Sequence, residues 1–124
     1  MQYLLMIYSN EVEYAKLDAA TSQKVMAEYG AFTQSIIQSG NFKAGDRLQP
    51  TATATTVRVR DGKTLTTDGP FAETREQLGG YYLVEAKDLD EATKLAARIP
   101  GAQVGSIEVR PVMQLPPDYP RPGR

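Results

Sequence analysis

Thr56-Val57-Arg58-Val59-Arg60-Asp61-Gly62-Lys63-Thr64-Leu65-Thr66-Thr67 is the stretch on which the architecture turns. Polar and apolar residues alternate on both sides of Asp61-Gly62, a pair suited to the two positive-φ positions of a type I′ turn, so the segment predicts a β-hairpin. Upstream, Tyr3-Leu4-Leu5-Met6-Ile7-Tyr8 is an apolar run too short for a helix, which reads as a strand buried on both faces. From Thr21 to Ser39, Val25, Met26, Tyr29, Phe32, Ile36 and Ile37 recur at helical spacing, and Gly40 closes the helix. Gly30 lies inside that helix, where it costs about 1 kcal/mol relative to Ala, and is expected at a close contact with the sheet. Phe42 to Leu48 is a weaker strand, bounded by Pro50.

Downstream of the hairpin the same unit repeats. Tyr81-Tyr82-Leu83-Val84-Glu85 is a strand preceded by Gly79-Gly80, which favours a bulge or a close backbone approach. Asp88 is the expected cap of a second helix, with Glu91 reaching back in a capping box; Leu89, Ala92, Leu95, Ala96 and Ile99 form its apolar stripe, and Pro100-Gly101 ends it. Ser106-Ile107-Glu108-Val109-Arg110 alternates as a final strand. Two strand-helix-strand units flanking a hairpin give an α+β, ferredoxin-like βαββαβ fold with an inserted β-hairpin. Both helices then cover one sheet face, and the other, too apolar for water, is expected to pack against a second copy in a homodimer.

With 124 residues, the chain has the size of a single domain. A domain is expected over residues 1–115, followed by an extended Pro-rich tail over 116–124 that holds four of the eight prolines. Fourteen Lys and Arg against fifteen Asp and Glu leave a net charge of −1, which speaks against nucleic acid or an anionic membrane as a partner. No apolar run approaches a membrane span, and the expected location is the cytoplasm. The chain contains neither histidine nor cysteine. Disulfides, thiolate nucleophiles, Cys-ligated metals and imidazole-based triads are therefore excluded, and acid–base chemistry falls to Asp, Glu, Tyr, Lys or Arg. No nucleotide-binding or metal-binding motif is present, so no cofactor is expected.

Thr67-Asp68-Gly69-Pro70-Phe71 carries the most distinctive chemistry. Gly69-Pro70 fixes a turn, and Asp68 is either a turn-former that accepts backbone N–H bonds, with Phe71 as a core plug, or a carboxylate at a cleft mouth. Arg58 and Arg60 share a hairpin face, either solvated or clamping an anion. Glu108 and Arg110 share a strand face and are expected to pair. Tyr3, Tyr81 and Tyr82 lie in strands; Tyr81 and Tyr82 must face opposite sides, so one packs on the helices while the other is free for a ligand or a dimer contact.

Asp68-Gly69-Pro70-Phe71 with Glu73-Thr74-Arg75-Glu76-Gln77-Leu78-Gly79-Gly80, together with Tyr3 to Tyr8, Ala54-Thr55-Thr56-Val57-Arg58 and Glu108-Val109-Arg110-Pro111-Val112, resembles the DGPF-domain group of YCII-related proteins. The resemblance implies a dimeric α+β barrel and a superfamily containing dehydrochlorinases and muconolactone-isomerase-like enzymes, which move protons on small cyclic molecules. It also implies a His-Asp site that a chain without histidine does not possess. The expected function is binding of a small organic molecule in a cleft between helices and sheet; if the chain is an enzyme, the expected reaction is cofactor-free proton transfer (isomerisation or elimination). Asp68 is then the catalytic base or orienter, Phe71, Tyr82 and Tyr3 are binding residues, and Arg58 or Arg110 is the anion clamp. The alternative, also implied by the resemblance, is a regulatory module that partners an extracytoplasmic-function sigma factor.

Overall fold

The structure is a computed structural model that describes residues 1–121. In chain order it contains β1 (Gln2–Ser9), α1 (Glu11–Ala15), α2 (Ala19–Gln38), β2 (Phe42–Arg47), β3 (Thr55–Arg60), β4 (Lys63–Asp68), β5 (Gln77–Glu85), α3 (Leu89–Ala97) and β6 (Ser106–Pro111), with short 3₁₀ turns at Thr51–Thr53 and Pro100–Gln103. Four strands form one antiparallel sheet in the order β2-β5-β1-β6, while β3 and β4 pair only with each other. That is the ferredoxin-like order with the hairpin inserted between β2 and β5.

Strand alternation divides the sheet between two environments. Tyr3, Leu5 and Ile7 of β1, with Tyr82 and Val84 of β5, pack against Phe32 and Ile36 of α2 and Ala92, Leu95, Ala96 and Ile99 from α3 onward. Leu5, Ile36, Val84 and Ile99 are fully buried. The opposite face carries Leu4, Met6, Tyr81 and Leu83, register partners across β1 and β5, with Glu108 and Arg110 beside them on β6. Leu4 and Met6 are half-buried. β1 is thus closed on one face only, because the helices form a single layer.

The helix-to-sheet stripe is narrower than the apolar pattern of the sequence. Phe32 and Ile36 are buried, but Met26, Ile37 and Leu89 are about half exposed, and Gly30 has open space where a side chain would be. Gly30 is therefore on the solvent side and not at a helix–sheet contact: a helix lying on a flat sheet buries only the positions pointing straight at it. The caps follow their side chains. Asp18 Oδ1 accepts from Thr21 N at 2.7 Å, which holds its carboxyl below the ordinary value. Asp88 Oδ1 accepts from Glu91 N, while the Glu91 carboxylate reaches Lys87 N, one residue further back than a capping box requires.

The Gly79-Gly80 pair serves both expected purposes. The β1–β5 register shifts between Ile7 and Tyr8, opposite Gly79, and a side chain at Gly80 would stand 2.9 Å from Asp46 O. At the hairpin, Asp61 (φ 52°) and Gly62 (φ 73°) make the expected positive-φ turn. Beyond β6, residues 116–121 contain a turn and are not extended: Tyr119 N donates to Pro116 O, and the Arg121 guanidinium folds back onto Leu115 O and Pro116 O. Residues 122–124 of the tail lie outside the described residues.

Candidate functional site

A cleft of about 560 Å³ opens where the sheet meets the root of the hairpin. Its floor is the bulged end of β1 and β5, contributed by Tyr8, Gln77 and Leu78. The chain leaving β2 supplies one wall, with Leu48, Pro50, Thr51 and Thr53, and the chain returning from the hairpin supplies the other, with Pro70, Phe71 and Thr74. No charged side chain lines it. The surface is apolar with hydroxyl and amide groups set into it, the composition of a site for a small organic molecule.

A polar staple fixes the walls. The Glu11 carboxylate accepts from Thr51 N at 2.8 Å and from Thr51 Oγ1 at 2.7 Å. Gln77 Oε1 accepts from Glu11 N at 3.0 Å, and Gln77 Nε2 donates to Thr74 O at 2.7 Å. One helix turn, both walls and the floor are therefore tied into a single network. A shallower groove of about 450 Å³ shares Tyr8 and Thr74 with the cleft and continues toward β6, where Ser106 Oγ donates to Glu76 Oε1 at 2.8 Å.

The residues expected to form a site are dispersed. Asp68 ends β4 exposed, paired in register with Thr55; among the described residues its carboxylate accepts no hydrogen bond. The turn after it is closed by Gly69 N donating to Ala54 O at 2.8 Å and by Thr56 Oγ1 donating to Gly69 O at 2.9 Å. Phe71 is 77% exposed, a cleft wall and not a core plug, with the Arg58 guanidinium stacked 5.4 Å from its ring. Tyr3 and Tyr82 are in the core: Tyr82 stacks edge-on to Phe32 and Phe42, and its hydroxyl lies 2.6 Å from Thr33 Oγ1. Tyr81 takes the opposite face, where its hydroxyl donates to Asp46 Oδ2; that bond raises the phenol above its ordinary value, because the hydrogen bond needs the proton. Arg110 pairs with Glu108 at 2.5 Å on the open sheet face. The structure thus brings Phe71 to the cleft, leaves Arg58 behind it and Asp68 at the hairpin root, and places Tyr3, Tyr82 and Arg110 elsewhere.

Tyr8, Glu11, Thr51, Thr53, Thr74 and Gln77 are site residues to which sequence reasoning gives no role. A signal existed for Tyr8: alternation from Tyr3 puts it on the other face, at the strand end opposite the glycine pair. Glu11 and Gln77 gave none, since they are 66 residues apart in sequence and meet only through the bulge. Among the described residues, no group of three or more acidic, His or Cys side chains is placed to hold a metal, and no helix is long and apolar enough to cross a membrane.

Residues 1–116 match the model of the YCII-related domain. An uncharacterised protein of Rhizobium meliloti (strain 1021) is 37% identical over 114 residues, which cover 90% of this chain and 92% of that protein. Among solved structures, the chain is similar to the 5-chloro-2-hydroxyhydroquinone dehydrochlorinase of Burkholderia phenoliruptrix AC1100 in complex with 2,5-dihydroxybenzoquinone. The TM-score is 0.52 at 12% identity, over 91% of this chain and 94% of that one, a likeness of fold.

Proposed function

The chain belongs to the YCII-related family, and on that footing we propose that its cleft binds a small organic molecule and acts on it by cofactor-free proton transfer, as an isomerase or an eliminating enzyme. The observation that carries this reading is the 560 Å³ cleft with its apolar walls, inset hydroxyls and braced frame. Tyr8 is the titratable group that lines it. Asp68 lies two residues before Pro70 and pairs in register with Thr55, next to Ala54; Pro70 and Ala54 are cleft residues, which supports a place for its carboxylate near the opening. In this reading the hydroxyl of Tyr8 holds a ligand oxygen while Asp68 accepts a proton from carbon.

Titration with 1,2,4-trihydroxybenzene, the uncharged dechlorinated parent of the structurally similar dehydrochlorinase's substrate, tests the binding half. Amide shifts confined to Thr51, Phe71, Thr74 and Gln77 are expected; shifts elsewhere, or none, overturn the assignment. Chloride release from the neighbour's chlorinated substrate tests the chemistry, with Asp68→Asn and Tyr8→Phe each expected to lower the rate at least tenfold. A rate that neither substitution changes removes both residues from the mechanism.

The assembly belongs to the same proposal. Two copies pack through the open sheet face, where Leu4, Met6, Tyr81 and Leu83 form an apolar centre and Glu108 with Arg110 a polar border. Light scattering is expected to give twice the chain mass of 13.6 kDa, and a monomer at micromolar concentration contradicts it. A second reading, a protein-interaction module such as a sigma-factor partner, draws on the exposed Val57, Val59 and Leu65 of the hairpin. Co-purification that is lost on substituting these three with threonine would favour it.

A further inference from the structure

The three threonines of the cleft have already committed their protons. Thr51 Oγ1 donates to the Glu11 carboxylate and Thr53 Oγ1 to Pro50 O, each at 2.7 Å, and Thr74 Oγ1 donates to Glu76 O. A hydroxyl has one proton and two lone pairs, so what remains at each of these oxygens is acceptor capacity alone. We propose that the threonine walls select ligands by hydrogen-bond polarity: the cleft takes an uncharged small molecule that donates hydroxyl protons to these oxygens while the Tyr8 hydroxyl meets a ligand oxygen, and it binds anions and analogues that only accept more weakly. This inference rests on the cleft being the binding site and names the class of molecule it takes.

The charge of the surroundings points the same way. No lysine or arginine lines the cleft, and the Glu11 carboxylate lies directly behind Thr51, so a bound anion would be desolvated with no counter-charge. An uncharged hydroxyl loses little on entering and regains its bonds at the threonine oxygens. The Arg58 guanidinium, stacked on Phe71, is held by that ring and does not line the cleft.

Three probes separate the possibilities by calorimetry and by amide shifts of the cleft residues: phloroglucinol, which donates three hydroxyls; its trimethyl ether, which only accepts; and benzoate. Phloroglucinol is expected to bind at the cleft about tenfold or more tighter than the ether, with benzoate weaker still, the effect of one to two neutral hydrogen bonds. Thr51→Val is expected to shrink that ratio by about three- to fivefold, whereas Thr51→Ser, which keeps the hydroxyl, preserves it. Thr74→Val repeats the test on the opposite wall. If phloroglucinol and its ether shift the cleft residues with equal affinity, or if benzoate binds best, the polarity proposal is overturned while the cleft stands as a binding site. If none of the three shifts a cleft residue, the binding site itself is wrong and the proposal falls with it.

Discussion

The four-stranded sheet and the β3–β4 hairpin are written in the same alternating residues and end in opposite environments. In β1, alternation places Tyr3, Leu5 and Ile7 under two helices, with Leu5 wholly buried. In the hairpin it places Val57 and Val59 on one face, each 59% exposed, and Leu65 on the other at 49%. The difference is a second layer. A strand becomes core when a helix or another sheet covers it, and a two-stranded ribbon without cover is marginal by itself. What keeps this ribbon in place is its root, where Gly69 and Ala54 are joined by a backbone bond and the Arg58 guanidinium stacks on Phe71.

The sharpest test of the contrast is a pair of truncations. Ile36→Ala, in the fully covered part of the core, is expected to lose about 2–5 kcal/mol in urea unfolding, because the cavity adds to the lost transfer energy. A loss well under 1 kcal/mol would mean that the core is loosely packed. Next in size, Gly80→Ala drives a Cβ to 2.9 Å from Asp46 O, so β2 must move away from β5 at a cost of about 1–3 kcal/mol. An unchanged unfolding midpoint would show that β2 is an adjustable edge and not part of the rigid sheet.

Tyr29→Phe comes third. The Tyr29 hydroxyl accepts from Gly101 N at 3.1 Å; burial pushes its phenol above 10.0, with the Gly101 bond opposing in part. A raised folded value contributes stability that is complete below the unfolded value of 10.0 and is lost as pH rises through the folded one. The substitution is therefore expected to cost about 1 kcal/mol at neutral pH and to flatten the decline in stability above pH 10. If the alkaline limb is unchanged, another group governs it. The smallest effect belongs to the hairpin: Val57→Ala is expected to change stability by about 0.5 kcal/mol or less. A loss comparable to that of Ile36→Ala would show that the ribbon is covered in solution, and would erase the contrast.

The fold was legible from the sequence because its signals are local. The hairpin needed only Asp61-Gly62 and its flanking alternation, and the bulge needed only Gly79-Gly80. The helical stripes were read too wide at Met26, Ile37 and Leu89, since periodicity ranks the positions facing the sheet without saying how far over a helix the cover extends. The small helix α1 was missed: five residues capped by Asn10 carry too little period to stand out. The site was legible only in part. Phe71 was found through its turn, but the cleft is a meeting of three distant segments, and Glu11 beside Thr51 is a tertiary fact. Tyr3 and Tyr82 read in sequence as strand tyrosines whose default place is the core or an interface, with ligand binding as the second option, and the helix layer puts both in the core.

The sheet has two outer strands, and both are poor templates for further strand addition. β2 exposes Lys43, Asp46 and Arg47, and β6 ends at Pro111, which has no N–H to offer. Edge-to-edge polymerisation is thus blocked by charge on one side and by proline at the end of the other. Growth of the sheet into fibrils is disfavoured even while one of its faces stays apolar, which leaves that face and not the edges as the surface on which the proposed pairing of two copies depends.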